Sequence, residues 1–319
     1  MLWKQRAFYT DVRQNLSRSD HERVSGTVAV VLSVGSRRCR LFLDGREADC
    51  IIPPELARNQ RSTLAVGDRV RAVPADGEMF RLAEILPRRT LLSRPDPLRP
   101  AVERLIAANI DLVVLIASVR KPPLRPGLAD RVLIAASRGG AQAAICVNKI
   151  DLAEDREEAL RPLEMYRSLV PIVSCSARTG EGIAALRALI EGKTCAFVGH
   201  SGVGKSSVLN ALDARLQLAT GELHKRGTGR HTTTASTLHD LGDDTLVIDT
   251  PGIREFGLWQ LTPAELRDSF PEFDEARTEC RFNDCAHLHE PDCEVKRRVE
   301  QGEIGRARYE AYVRLAGEM

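Results

Sequence analysis

Nothing in this sequence narrows the possible folds as much as Gly199-His200-Ser201-Gly202-Val203-Gly204-Lys205-Ser206-Ser207. The spacing G-x-x-x-x-G-K-[ST] turns a loop into an anion site, because glycines let the backbone approach closely and successive N–H groups surround phosphate oxygens at a helix N-terminus. Lys205 would reach the β/γ-phosphate oxygens, the Ser206 hydroxyl would sit on Mg²⁺, and Ser207 adds a hydroxyl nearby. The flanks fit the strand–loop–helix setting such a loop needs. Thr194-Cys195-Ala196-Phe197-Val198 is an apolar run of strand length, and Ser206 to Leu212 has helix-forming composition.

Further motifs fall at the ends of other apolar runs. Asn148-Lys149-Ile150-Asp151 closes the run Ala143 to Val147. In an N-K-x-D arrangement the carboxylate accepts hydrogen bonds from guanine N1–H and the exocyclic amine, whereas adenine would set a lone pair against Asp151. Lys149 would lay its stem over the base, and Asn148 would tie this loop to the phosphate loop. Ser176-Ala177 follows the next strand and supplies a backbone N–H for guanine O6. Asp249-Thr250-Pro251-Gly252 ends the run Leu246-Val247-Ile248, where Asp249 would hold Mg²⁺ through water and the Gly252 N–H would sense the γ-phosphate. Between these lies Gly227-Thr228-Gly229-Arg230-His231-Thr232-Thr233-Thr234, in which one threonine, Thr233 by preference, completes Mg²⁺ coordination. The alternative for this stretch is a mobile Thr/Gly loop. Ile253 stands where many GTPases place a water-orienting Gln, so intrinsic hydrolysis is expected to be slow, and His231 is the candidate to orient water.

The order is unusual, with base-reading motifs at 148 and 176 ahead of the phosphate loop at 199 and the switch motifs at 229–252. Circular permutation preserves such a fold, since surface termini often lie close enough to rejoin. Ahead of this region, five short strand-like runs between Val24 and Leu92 predict a small barrel of the OB type. Nucleic-acid binding and plain protein packing both remain open for it. Sixteen Lys/Arg against eleven Asp/Glu in residues 1–90 favour an anionic partner. Leu92 to Pro100 reads as a Pro-rich linker, and Glu154 to Leu169 as one helical stretch. The division expected is a flexible tail at 1–23, the OB-fold barrel at 24–92, a circularly permuted α/β GTPase domain at 93–260 and a mostly helical, zinc-binding domain at 261–319.

That last segment holds Cys280-x4-Cys285-x-His287-x5-Cys293, three thiolates and an imidazole suited to one tetrahedral, structural Zn²⁺, with His289 as a substitute ligand. Lys296, Arg297 and Arg298 would offset its charge. Arg306, Arg308 and Arg314 face either RNA or solvent. The net charge of +2 over 319 residues excludes a nucleic-acid binder built on bulk charge alone. No secretory signal is legible in residues 1–20 and no run approaches 18 apolar residues, so a cytoplasmic protein without membrane contact is expected.

With N-K-I-D at 148–151, G-H-S-G-V-G-K-S-S at 199–207, G-R-H-T-T-T at 229–234, D-T-P-G-I-R-E-F at 249–256 and the cysteine set at 280–293, the chain resembles the RsgA (YjeQ) family over residues 24–316. These are circularly permuted GTPases dependent on the small ribosomal subunit. The resemblance implies GTP hydrolysis to GDP and phosphate stimulated by the 30S subunit, a place in its late assembly, and 16S rRNA contact through the two flanking domains. A monomer is expected. The competing readings are a GTP-controlled rRNA-binding switch whose hydrolysis is incidental and, less suited to the switch motifs, a metabolic kinase.

Overall fold

The computed structural model describes residues 26–57, 63–219, 236–252 and 256–319. Its N-terminal part is built from β1 (Thr27–Val34), β2 (Arg38–Leu43), β3 (Arg46–Ile51), β4 (Arg69–Pro74) and β5 (Phe80–Ile85). Alternation decides their register, because a one-residue slip would turn every apolar side chain outward. In β2, Cys39, Leu41 and Leu43 point inward while Arg38 and Arg40 face water. Asp44 and Gly45, both at positive φ, make the tight turn into β3. The strands follow the order β1-β2-β3-β5-β4, and β4 returns to pair with β1, so the sheet closes around Val31, Leu41, Cys50, Val70 and Leu82. This is the OB-like barrel expected.

The segment read as a linker is instead a hairpin, β6 (Leu91–Asp96) and β7 (Arg99–Ala108). The Asp96 carboxylate accepts the N–H groups of Leu98 at 3.0 Å and Arg99 at 3.2 Å, which folds the chain back at Pro97. Among the described residues the sheet has two strands, with one further bridge from Ala107 to Val66, so proline's missing donor costs little at its edges.

The second sheet comprises β8 (Leu112–Ser118), β9 (Gln142–Asn148), β10 (Ile172–Ser174), β11 (Thr194–Val198), β12 (Thr237–Gly242) and β13 (Thr245–Asp249), in the order β10-β9-β8-β11-β13-β12. All pairs are parallel except β12 with β13. Every residue of β8 is buried, as a strand covered on both faces requires. Val113 and Leu115 pack with Ala129 and Val132 of α1 (Pro126–Arg138), whereas Leu112, Val114 and Ile116 pack with Leu186 of α2 (Ile183–Ile190) and Val208 of α3 (Lys205–Leu212). The α/β domain is thus doubly wound, as expected. The helical stretch at 154–169 is broken: Arg156–Leu160 is α-helical and Arg161–Tyr166 is a 3₁₀ helix, because Pro162 cannot donate within an α-helix. At the far edge β12 also pairs with β1 through Ser33 and Thr237, so one sheet runs from α/β domain into barrel.

The C-terminal part carries α4 (Pro263–Asp268), α5 (Glu294–Glu300) and α6 (Arg306–Ala316) around Phe270, Phe273 and Tyr312. Ile134 of α1 belongs to the same core. Of the arginines of α6, Arg308 departs from both expectations set for it. Arg308 is 6% exposed, stacks its guanidinium 4.3 Å from the Phe270 ring, and donates to Glu272 at 2.5 Å and to Asp130 of α1 at 2.8 Å. Arg314 donates to the other Asp130 oxygen at 3.0 Å. Arg306 and Arg314 both remain exposed on the helix face. Burial pushes the Asp130 carboxyl up, and the Tyr166 hydroxyl and the two guanidinium groups oppose that rise. Among the described residues no helix is long and apolar enough to cross a membrane.

Arg308→Ala removes one cation from the buried Asp130, which keeps Tyr166 and Arg314, and leaves the half-buried Glu272 without its guanidinium partner. A loss on the order of 3 kcal/mol is expected, as for breaking a buried ion pair. A thermal melt and limited proteolysis around residue 261 would register it as a lower Tm and faster release of the C-terminal part.

Candidate nucleotide site and metal centre

β11 ends at the phosphate loop, and the close approach of neighbouring strands explains its glycines. A Cβ on Gly199 would lie 2.2 Å from the Ile116 carbonyl oxygen, and one on Gly204 only 2.5 Å from Asn148 Nδ2. Gly202 and Gly204 also have φ of +86° and +93°, which only glycine adopts without strain. Val203 is buried and anchors the loop, whereas His200 turns its Nδ1 onto the Ser201 carbonyl at 2.7 Å. Ser206 and Ser207 lie half-buried in the first turn of α3. Lys205 is buried, with Nζ donating to the Gly199 carbonyl at 3.0 Å. Burial pushes its ammonium pKa down, and Asp249 opposes the shift.

The base-side motif meets this loop through one side chain. Asn148 Nδ2 donates to the Val203 carbonyl at 2.9 Å, and its Oδ1 accepts the Ala177 N–H at 3.0 Å. The Ala177 donor expected to face guanine O6 is therefore engaged in joining the two base loops. Lys149, at φ +62°, bends back so that Nζ donates to the Gly202 carbonyl at 2.6 Å and the Lys121 carbonyl at 2.5 Å. Ile150 is buried and pins the turn, its N–H bonded to the Cys175 carbonyl. Asp151 receives the Ser176 hydroxyl on Oδ1 and the Arg178 guanidinium on Oδ2. These bonds, the hydroxyl first, hold its carboxyl below the usual range.

Asp249 lies at the end of β13, 3% exposed, and its Oδ1 is buried with no hydrogen-bond partner among the described residues. Burial pushes its pKa up to about 6 against the opposing charge of Lys205. An orphaned carboxylate oxygen beside a buried ammonium fits a site that takes a hydrated cation. Thr250 anchors the turn through its hydroxyl to the Phe197 carbonyl, and Gly252 packs so tightly that a Cβ there would sit 2.9 Å from Ser201 Cα. His231, Thr233 and Ile253 lie outside the described residues. Sequence reasoning missed Arg178 and Thr250; the one signal for Arg178 was its place two residues past Ser176.

In the C-terminal part, one ligand atom from each of Cys280, Cys285, His287 and Cys293 lies within 4.8 Å of the others. Tetrahedral coordination with Zn–S near 2.3 Å sets sulfur atoms about 3.8 Å apart. Cys280 and Cys293 Sγ are 4.0 Å apart, and His287 Nδ1 lies 3.7 and 3.5 Å from them. The donor set therefore fits a closed, four-ligand zinc site. His289 is exposed and outside this cluster. The cations expected to offset the thiolates are otherwise engaged: Arg297 and Arg298 pair with Glu294, Arg298 also with Glu275 and Glu279, and Lys296 Nζ donates to the Glu290 carbonyl. Lys296 meets Cys293 through its backbone N–H instead. The Glu290 carboxylate caps the ligand loop; burial opposes its charge, but backbone N–H groups including those of Ala286, Leu288 and His289 outweigh this and hold it at about 2.

A family model described as RsgA GTPase matches residues 85–259. The small ribosomal subunit biogenesis GTPase RsgA of Chlorobaculum parvum is 43% identical over 289 residues, covering 85% of this chain and 91% of that protein. Its namesake in Gemmatimonas aurantiaca is 39% identical over 259 residues, or 80% and 84% of the two chains. Among solved structures, YjeQ from Thermotoga maritima superposes with a TM-score of 0.72 at 32% identity, covering 92% of this chain and 98% of its own. YloQ, a circularly permuted GTPase, gives 0.67 at 28% identity, with 93% and 96% covered.

Gly204→Ala places a methyl against Asn148 and strains a positive φ. Calorimetric titration with GDP should show affinity reduced by about 100-fold, a combined steric and strain cost of roughly 3 kcal/mol, with the far-UV spectrum unchanged. For the metal centre, elemental analysis of protein grown with zinc should find close to one zinc per chain, and Cys285→Ser should lose it together with several degrees of Tm.

Proposed function

Because the chain belongs to the RsgA GTPase family, we propose that it hydrolyses GTP on the small ribosomal subunit during that subunit's late assembly. It is a hydrolase acting on GTP, and so binds guanine nucleotide. Relatives carry the name of small-subunit biogenesis, which supports the ribosomal half of the reading. Contact with 16S rRNA through the barrel and the zinc-binding part, a monomeric state and a cytoplasmic location belong to the same proposal. So does the division into domains at 24–92, 93–260 and 261–319, whose first boundary falls within β6 of the hairpin. The observation that carries the reading is the Asn148 amide, which holds the phosphate loop and the base loops in one frame.

In the proposed site Asp151 reads the guanine N1–H and amine, Lys149 covers the base, and Asn148, Ile150, Ser176 and Ala177 fix the loops. The N–H groups of residues 199–204, with Lys205, Ser206 and Ser207, take the phosphates. Lys205 Nζ exchanges the Gly199 carbonyl for phosphate oxygen, a bond stronger for being charge-assisted. Ser206, Thr233 and, through water, Asp249 would hold Mg²⁺, which when bound neutralises charge on the β- and γ-phosphate oxygens. Water attacks the γ-phosphorus in line, the bond to the β,γ-bridging oxygen breaks, and GDP and phosphate leave. Lys205 and the loop N–H groups stabilise the charge that develops, the Gly252 N–H senses the γ-phosphate, and His231 orients the water. Cys280, Cys285, His287 and Cys293 would hold a structural Zn²⁺.

The Asp249 shift has a definite sign. Its native pKa lies above the unfolded value near 4, so the empty protein keeps this proton up to about pH 6 and loses stability as pH rises through that window. Cation binding needs the ionised form, so Mg²⁺-dependent GTP affinity should fall about tenfold from pH 7 to pH 5, and Asp249→Asn should flatten that dependence.

Steady-state GTP hydrolysis with and without small subunits, with ATP and large subunits as controls, tests the main reading. A rise of at least about 10-fold specific to GTP and the small subunit is expected, an acceleration within reach of one positioned group. Tight GTP-dependent binding with no rise would favour the binding-switch reading. His231→Ala should abolish the rise while GTP still binds.

A further inference from the structure

The Asp151 carboxylate is already occupied in a way that bears on which base can enter. Ser176 Oγ donates to Oδ1, and Arg178 sets two donors on the other oxygen, Nε at 3.0 Å and Nη2 at 2.6 Å from Oδ2. The serine is itself fixed, accepting the Thr179 N–H at 3.2 Å. A carboxylate offers about four lone-pair directions, two on each oxygen. Arg178 fills both on Oδ2 and Ser176 one on Oδ1, and the residue's own backbone N–H adds a weaker interaction, so at most one direction is left for a base. Guanine presents two donors to such a carboxylate, its N1–H and its exocyclic amine. Hypoxanthine, the same ring system without the amine, presents only the first. Guanine therefore cannot complete its pair of hydrogen bonds until at least one guanidinium N–H withdraws.

The exposures show how that withdrawal is possible. The Asp151 side chain is 10% exposed, whereas that of Arg178 is 72% exposed, so the cation covers the carboxylate from the solvent side. It lies on the short loop between β10 and α2, and its departure opens no hole in the core.

We propose that Arg178 is a specificity-determining residue of the guanine site: it competes with the base for Asp151 and opposes guanine more than hypoxanthine, because only guanine needs the second lone pair. The proposal rests on the reading of Asp151 as the guanine-recognising group. An ion pair this exposed is weak, so its effect on relative affinity is about two- to five-fold.

The test compares GDP and IDP dissociation constants by calorimetry on the full chain, for wild type, Arg178→Ala and Asp151→Asn. The two nucleotides share ribose and phosphates, so the ratio of their constants isolates the exocyclic amine. Arg178→Ala should raise the IDP-to-GDP ratio about two- to five-fold through tighter GDP binding, with an unchanged melting temperature. An unchanged or lower ratio overturns the role of Arg178. Asp151→Asn should bring the ratio toward one; a ratio that survives this substitution overturns the guanine reading itself, whatever Arg178 does.

Discussion

A single buried amide holds the nucleotide site together. Asn148 gives its N–H to Val203 in the phosphate loop and takes the N–H of Ala177 from the second base loop. Both bonds are made inside the protein, where an unpaired amide would cost 1–3 kcal/mol, so the three loops are held to one another rather than merely adjacent. Gly204 is part of the same constraint, since any larger residue would push against this amide. The site is preorganised by the contact between its halves, and the parallel strands beneath serve to bring those halves to one edge of the sheet.

Permutation changes what the switch segments are attached to. β12 and β13 flank the site on the side of the phosphate loop, and β12 also pairs with β1 of the barrel. Residues 249–252 lead on toward α4 and the metal-binding part. Both flanking parts thus connect to strands beside the candidate nucleotide site, the one through main-chain pairing and the other through the chain itself.

The C-terminal part is also held from below. Asp130 on α1 meets Arg308 and Arg314 on α6, and Arg308 lies over Phe270. A charge cluster this deep carries a desolvation penalty comparable to its attraction, so its main consequence is geometric: α6 has one seat on α1. The loop that carries the cysteine–histidine cluster is bound to the same helix, since the Tyr309 and Tyr312 hydroxyls donate to the His287 and Ala286 carbonyls. Metal loop, last helix and GTPase helix form one continuous support.

What the sequence by itself determined is everything with a short repeat or a fixed spacing. Five short strand-like runs between Val24 and Leu92 announced the barrel, the apolar runs before Gly199, Asn148 and Asp249 placed each motif at a strand end, and four candidate ligands within fourteen residues announced the cysteine–histidine cluster. Such features are legible because they are set by neighbours in the chain, through strand pleat, glycine backbone freedom and ligand reach. Only the tertiary structure decided the rest. It turned the Pro-rich segment at 92–100 into a hairpin, gave the Ala177 N–H to Asn148, set Arg178 on Asp151 and buried Arg308 against a residue 178 positions away. An arginine on a helix reads alike whether it meets water, RNA or a buried carboxylate, because the energy of a charge depends on what the fold brings beside it and how far water is excluded.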